Sequence, residues 1–507
     1  MKLKKFLVGM TALALLATPV SAQTLRYATI GEPPSLDLQM GTATLASTIS
    51  QNMFETLYAF DETNAPQPYL VTGEQISEDG KTIVLTLRDG VLFHDGDTLT
   101  AEDVAASLNR WAEHGARGKI LGLDNAAVTG DLEVTLHLKE VNGAWKSILA
   151  YINGGPVIYP ADIVTAAAGE PIAAENYVGT GPYRFGELRP NRYVELIRFD
   201  DYTPNPGESN GAAGTRVANF EKLHFIPVPD VGTRLSGVQA GDYDYAEYIS
   251  GDLFGLVKDD PAVQVKISAA PIFGLMFMNS ENGPLADNTK LRQAIVAALN
   301  MEQALQVSVG EQELYDASGV FFAEGNIWHT TAGSEAYSEG NPEKAKALAA
   351  DAGYDGTPIK LLVSTNYKAH FDNASVFTRQ LADAGINVQM VVVDWATLLK
   401  LRGQPEQWDM FMTHHGDVPD PVLLTVMNES YPGWWQTEEK RALMAQLTGT
   451  SVLEERQAAW EKMQALIWEQ LPTVRVGSQF SYDIASPDLK TPWEKAPVFP
   501  YFWGASK

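Results

Sequence analysis

Between residues 76 and 111 the chain reads ISEDGKTIVLTLRDGVLFHDGDTLTAEDVAASLNRW, and the period of its apolar positions changes part-way along. Ile83, Leu85 and Leu87 alternate with Thr82, Val84 and Thr86, the two-residue period of a strand with one buried face. Arg88-Asp89-Gly90 then turns the chain. Thr100, followed three residues later by Asp103, forms a capping pair for a helix in which Val104, Leu108 and Trp111 recur at helical spacing. Residues 183–188 and 193–198 around Arg189-Pro190-Asn191 predict a hairpin, and up to about residue 273 the texture is strand-rich with few long helices.

After Pro271 strands and helices alternate. Asn341-Pro342 opens a helix that Gly353 closes. A strand over 359–364, a helix over 373–384 ended by Gly385, a strand over 386–393, a helix over 396–401 and a strand over 408–413 follow. An amphipathic helix over 452–469 and strands over 473–476 and 480–485 complete the series. This order predicts an α/β fold with a largely parallel sheet flanked by helices.

The amino-terminal end changes the setting. Lys2, Lys4 and Lys5 precede an apolar run over 6–17, and Val20-Ser21-Ala22 precedes Gln23, the layout of a signal peptide cleaved after Ala22. As a helix the run would extend only about 18 Å against a hydrocarbon layer of roughly 30 Å, too short for a permanent span. Without cysteine there is no disulfide, no thiol nucleophile and no lipid attachment at the cleavage site, so a free periplasmic protein without a membrane anchor is expected. Loss of the signal removes three of 37 basic residues and none of 63 acidic ones, leaving a net charge of minus 29. Such a chain is a poor partner for nucleic acid, and its scattered acidic residues serve solubility. The length of 507 residues suggests about three domain-sized units.

The 76–111 stretch resembles the family 5 extracellular solute-binding proteins. So do Gly179-Thr180-Gly181-Pro182-Tyr183, Thr233-Arg234-Leu235 with Gly241-Asp242-Tyr243-Asp244, the run from Met278-Asn279 to Leu291-Arg292-Gln293-Ala294-Ile295, and Asn341-Pro342-Glu343-Lys344-Ala345, in this order along the mature chain. The resemblance implies a two-lobed periplasmic binding protein of the type II, cluster C kind. Its first lobe would combine a core from 23–52, 175–272 and 474–507 with an extra subdomain over 53–174, and 273–473 would form the second lobe beyond a hinge. It also implies a monomeric receptor, with no cofactor and no bound metal of its own, that delivers a small solute to a membrane ABC permease. A peptide is the first expectation; an oligosaccharide, an opine-like solute or a nickel chelate are the alternatives.

Ligands of open α/β sheets gather beyond the carboxyl ends of strands, where 408–413 would run out into His414-His415-Gly416-Asp417-Val418-Pro419-Asp420-Pro421. The string Gly416-Asp417-x-x-Asp420-Pro421 resembles the region where peptide-binding members pair an Asp with a peptide's amino terminus, and Asp417 is the matching position. An ammonium group withdrawn from water needs a paired charge and hydrogen bonds to offset its desolvation. An Asp in a Gly/Pro-rich turn also serves simply as a turn former. His414 and His415 stand where the peptide binders often carry aromatics. Neighbours on an extended chain face opposite sides, so one of them can enter the cleft, to hydrogen-bond rather than to ligate a metal. Trp395, Tyr431, Trp434 and Trp435 are candidate aromatic walls, and Phe273 and Asn279 lie close to the first lobe crossing; ordinary packing is the alternative for each.

Two motifs point elsewhere and fail on context. His94, Asp95 and Asp97 suggest a calcium loop, but Leu99 and Thr100 occupy its fifth and sixth positions, so a surface turn is expected. Gly207-Glu208-Ser209-Asn210-Gly211 matches the serine elbow, yet Pro204-Asn205-Pro206 before it and Ala212-Ala213-Gly214 after it supply neither strand nor helix. A secreted serine hydrolase is therefore the remote alternative to a binding protein without enzymatic activity.

Overall fold

The computed structural model describes residues 23–507; the expected signal segment lies outside them. Local rules write the elements where they are strongest. Thr100 accepts the backbone N–H of Asp103 and Asp103 Oδ2 accepts that of Thr100 at 2.8 Å, a complete capping box for the helix Ala101–His114. Its buried stripe of Val104, Leu108 and Trp111 packs against Ile83 and Leu85. That core belongs to an antiparallel four-stranded sheet in the order Val71–Ile76, Thr82–Leu87, Glu133–Leu138, Leu123–Gly130.

A seven-stranded sheet runs in the order Gln264–Ile267, Tyr482–Ala485, Tyr245–Ile249, Thr24–Thr29, Lys222–Pro227, Tyr193–Arg198, Tyr183–Arg189, and buries Leu25, Tyr27, Leu223, Phe225 and Phe502. The predicted hairpin is its edge pair. Gly179 and Gly181 let the preceding string press on the helix end at Asn52-Met53: a Cβ at either would meet backbone, 2.3 Å from Met53 O and 2.7 Å from Asn52 O. His94 seals the same string, taking the N–H of Gly179 on Nδ1 at 3.1 Å and facing Gly181 O from Nε2 at 3.0 Å. The turn beside it closes when Asp95 Oδ1 accepts the Asp97 N–H at 3.1 Å.

The second lobe is built on a six-stranded sheet in the order Tyr315–Asp316, Thr473–Gln479, Ile272–Met278, Met410–Gly416, Ile359–Ser364, Val388–Val393. It is mixed rather than largely parallel. Ile359–Ser364 is parallel to both its neighbours, as the helical crossovers predict, whereas Ile272–Met278 is antiparallel to both of its own. The reason is connectivity: Ile272–Met278 enters the lobe and Thr473–Gln479 leaves it at the same end, so the two neighbours run in opposite directions. Thr473–Gln479 pairs in this second sheet, and the next strand, Tyr482–Ala485, pairs in the seven-stranded one.

Two other boundaries move. The helix expected from 373 begins at Lys368, and Tyr367 before it offers no side-chain cap, so nothing local marks the start. The strand expected over 408–413 is Met410–Gly416, extended because His414 and His415 go on pairing with Gly274 and Phe273. The lobes also touch away from the crossings. Ile327 donates its N–H to Thr63 O at 3.0 Å and Gly143 donates to Thr448 O at 2.7 Å. Val422 packs against the four-stranded unit's core.

Candidate functional site

Ile272 pairs with both Gly416 and Gln479, so the carboxyl end of Met410–Gly416 lies at the lobe crossings. Phe273 stands opposite His415 there and the two rings stack, 5.4 Å apart and 13° from parallel. His414 points to the other face of the sheet. It stacks with Trp395 at 6.0 Å, lies 4.9 Å from the Tyr367 ring, and places Nδ1 3.1 Å from His370 Nε2. The two neighbouring histidines therefore serve different surroundings, as an extended backbone requires. Burial pushes all three imidazoles down: His370 to about 3, helped by the charge of His414, and His414 by desolvation and then His415. His415 is lowered by desolvation first, with Arg117 adding to it against a hydrogen bond to Gly416.

Asp417 is half-buried one residue beyond the strand. Desolvation pushes its carboxyl up to about 6, against the charge of Arg475 and the Val418 N–H, which both favour ionisation. Among the described residues it enters no ion pair, which sets it apart from Asp420. That carboxylate, fully buried, takes both arms of Arg456 at 2.8 and 2.9 Å and anchors the loop to the helix Leu453–Gln470. Arg475 is itself occupied. Its guanidinium lies on the Phe273 face, 4.5 Å from the ring centre, and donates to Val320 O at 2.5 Å and Ser478 Oγ at 2.6 Å.

Two residues that the sequence did not single out act on this group through charge. Arg117 lies over the Tyr151 ring at 5.3 Å and donates to Asn153 Oδ1 at 3.0 Å. The Tyr151 phenol is raised by burial, then lowered by Arg117 and raised by Asp417, while Arg117 lowers His415. No sequence signal pointed to Arg117. It follows a helix end in a short polar loop, and the residues it contacts, Tyr151 and Asn153, are distant in sequence.

All but one of the remaining candidates gather at the opposite end of the sheet. Met278 pairs with Met410, six residues and roughly 20 Å of strand from the Ile272 end. Asn279, fully buried just beyond, donates from Nδ2 to Pro405 O and Trp408 O at 2.8 and 2.9 Å and takes the N–H groups of Glu281 and Asn282 on Oδ1, which pins a loop. Trp434 stacks on Trp408 at 5.7 Å, and Trp435 donates Nε1–H to Gln470 at 2.6 Å. Tyr431 packs on Phe277 at 5.0 Å and accepts a hydrogen bond from Arg402 at 3.0 Å. Nearness to Asp417 in sequence misleads because two short 3-10 turns, Pro421–Leu423 and Thr425–Met427, carry the chain back along the sheet. Of the predicted set, Asp417, His414, His415, Trp395 and Phe273 share the crossing end; Asn279, Trp434 and Trp435 lie at the far end, and Tyr431, which bonds Thr413, lies between.

A carboxylate without a counter-ion, aromatic rings and neutral imidazoles at a two-lobe junction suit non-covalent capture. Residues 65–434 match the family described as "Bacterial extracellular solute-binding proteins, family 5 Middle". The chain belongs to this family. Among its relatives, a probable peptide ABC transporter periplasmic-binding protein, y4tO, from Sinorhizobium fredii is 28% identical over 461 residues, 86% of this chain and 85% of the relative. The glutathione-binding protein GsiB of Pectobacterium atrosepticum is 28% identical over 394 residues, 76% of this chain and 72% of that one. HbpA2 from Haemophilus parasuis shares the fold with a TM-score of 0.80 at 20% identity, covering 95% of this chain and 99% of its own. Ser209, the remaining motif residue, lies on an exposed loop closed by an Asn210–Ala213 bridge, without the strand and helix of an elbow.

Proposed function

We propose that this family member is a periplasmic receptor, not an enzyme, that closes its lobes over a peptide or solute of similar size and delivers it as a monomer to a membrane ABC permease. The observation that carries the reading is Asp417, a half-buried carboxyl at the crossing end of the second sheet that enters no ion pair among the described residues, Arg475 acting on it through charge alone. Leaving a carboxylate desolvated and unpaired is costly, and an ammonium group arriving between the lobes supplies both the charge and the hydrogen bonds it lacks. Trp395, half-buried beside His414, offers apolar ring surface at the same end of the sheet, and closure about the crossings at 267–272 and 479–482 shields the ion pair from water. The relative named for peptide transport supports a peptide as the first candidate.

Purified protein denatured in acid should release a small cationic or zwitterionic solute, identified by mass spectrometry. Small-angle scattering should show the ligand-free protein becoming more compact when that solute is returned. Asp417→Asn should then lose on the order of 2 to 5 kcal/mol of binding free energy in calorimetry, with unchanged circular dichroism. Equal affinity in the variant would remove Asp417 from the site, and identical scattering with and without a tight binder would remove lobe closure.

A further inference from the structure

Resting on the reading of the protein as a receptor that closes over its solute, we propose that the lobe contacts away from the crossings form a single latch with Gly143 as its positioning residue. The latch touches no solute. It fixes the loop that follows Asp417 when the lobes meet, and so sets affinity from a distance.

The second-lobe half of the latch is built around Arg456. Its buried guanidinium gives both arms to Asp420, donates from Nε to Leu447 O at 2.9 Å and lies over the Trp328 ring, 4.8 Å from its centre. Two of these partners hold the loop. Asp420 accepts the Val422 N–H at 3.2 Å, and Trp328 donates Nε1–H to Pro419 O at 3.0 Å, two residues beyond Asp417. All three partners also stand next to a contact with the first lobe. Val422 packs on the core of the four-stranded unit; Ile327, beside Trp328, donates its N–H to Thr63 O at 3.0 Å; and Thr448, beside Leu447, accepts the Gly143 N–H at 2.7 Å. The loop and the lobe contacts thus hang on one close-packed set of side chains, and a shift in one is transmitted to the other.

The first-lobe half is shaped by its own bonds. Asn142 Oδ1 accepts the Ala144 N–H at 3.1 Å, and Asn142 Nδ2 donates to Ile120 O and Leu121 O at 3.0 and 3.2 Å, while Ala144 and Trp145 are buried behind the turn. Asp61 does the same for Thr63, accepting the Thr63 and Ala65 N–H groups at 2.9 and 3.0 Å. Gly143 itself has a backbone conformation that alanine adopts, yet a Cβ there would stand 1.9 Å from Thr450 O and 3.2 Å from Arg456 Nε. The three atoms it would meet first all belong to the second lobe. The glycine is therefore needed where the lobes meet and not for the first lobe to fold. What it permits stabilises the closed form alone, and the apparent affinity of a solute scales with the fraction of molecules able to reach that form.

The latch can be read without a solute. Glu78 and Ser451 line one cavity of about 190 Å³ between the lobes, and the chain has no cysteine, so Glu78→Cys with Ser451→Cys offers one pair to a short bis-maleimide. The pair should cross-link, and adding Gly143→Ala should slow the reaction at least tenfold with the unliganded melting temperature unchanged. Val422→Ser, which loosens the latch from the second lobe, should slow it as well. In calorimetry with L-alanyl-L-phenylalanine, Gly143→Ala in the cysteine-free chain should bind at least tenfold more weakly than wild type, with faster dissociation and the same association rate. A pair that never cross-links, a Gly143→Ala protein that cross-links at the undiminished rate, or equal dipeptide affinities in the two proteins overturns the proposal. If wild type ignores the dipeptide while Gly143→Ala still slows cross-linking, the peptide reading fails and the latch stands.

Discussion

Acidification should weaken capture of an ammonium-bearing solute by the wild type and leave Asp417→Asn much flatter. The carboxyl of Asp417 titrates at about 6 instead of 3.8, because burial disfavours its ionised form more than Arg475 and the Val418 N–H favour it. A displacement of about two pH units corresponds to roughly 3 kcal/mol, the cost of keeping a carboxylate in the empty site and the quantity an incoming ammonium offsets. The bound state needs the ionised form and the empty site takes up a proton below about 6. Full affinity is therefore present above that pH and is lost as pH falls through it. At pH 7 about one empty site in ten is protonated; at pH 5 about nine in ten are, so the dissociation constant should rise about tenfold, and by about another tenfold at pH 4. Titration calorimetry at pH 5, 6 and 7 in two buffers of different protonation enthalpy would read both the affinity and the protons released, close to one at pH 5. His370, held at about 3, stays uncharged throughout, and any charge gained by His414 or His415 at the acid end repels a cation in the same direction. The Asn variant separates the two sources. A constant wild-type affinity between pH 7 and 5 without proton release, or an equal slope in Asp417→Asn, would refute the reasoning.

Asp483, just past the second crossing, is pushed up to about 7 by burial, with the charge of Glu247 adding and the Tyr245 hydroxyl and Tyr248 N–H opposing. Its folded value lies above its unfolded one, so its stabilisation is complete below about pH 4 and lost by about pH 7, up to about 4 kcal/mol; urea unfolding at pH 4.5 and 7.5 should show this fall in wild type and less of it in Asp483→Asn. Arg456→Met, which strands a fully buried Asp420, should cost about 3 to 5 kcal/mol in denaturant unfolding, and adding Asp420→Leu should recover part of that loss. Thr100→Ala removes half of a capping box and should cost about 1 kcal/mol in thermal unfolding without changing solute affinity.

What the sequence could convey depended on how far apart the deciding partners lie. Thr100 and Asp103 are three residues apart and wrote their capping box legibly, as Asn341 and Pro342 wrote a helix start. His414 and His415 were legible as facing opposite sides, because that follows from backbone geometry alone. The length of their strand was not, since its last residues are held by Phe273 and Gly274, about 140 positions away. Tyr431, Trp434 and Trp435 looked like neighbours of Asp417 only while the path of residues 421–435 was unknown. Asp417 and Asp420 put the limit most sharply. Both sit in one Gly/Pro-rich string and nothing local ranks them, yet Arg456, from a helix 36 residues further on, neutralises one and leaves the other without a cation. On the proposed reading a carboxylate is left for a solute because distant packing pairs its neighbour instead, and that choice is made by tertiary structure.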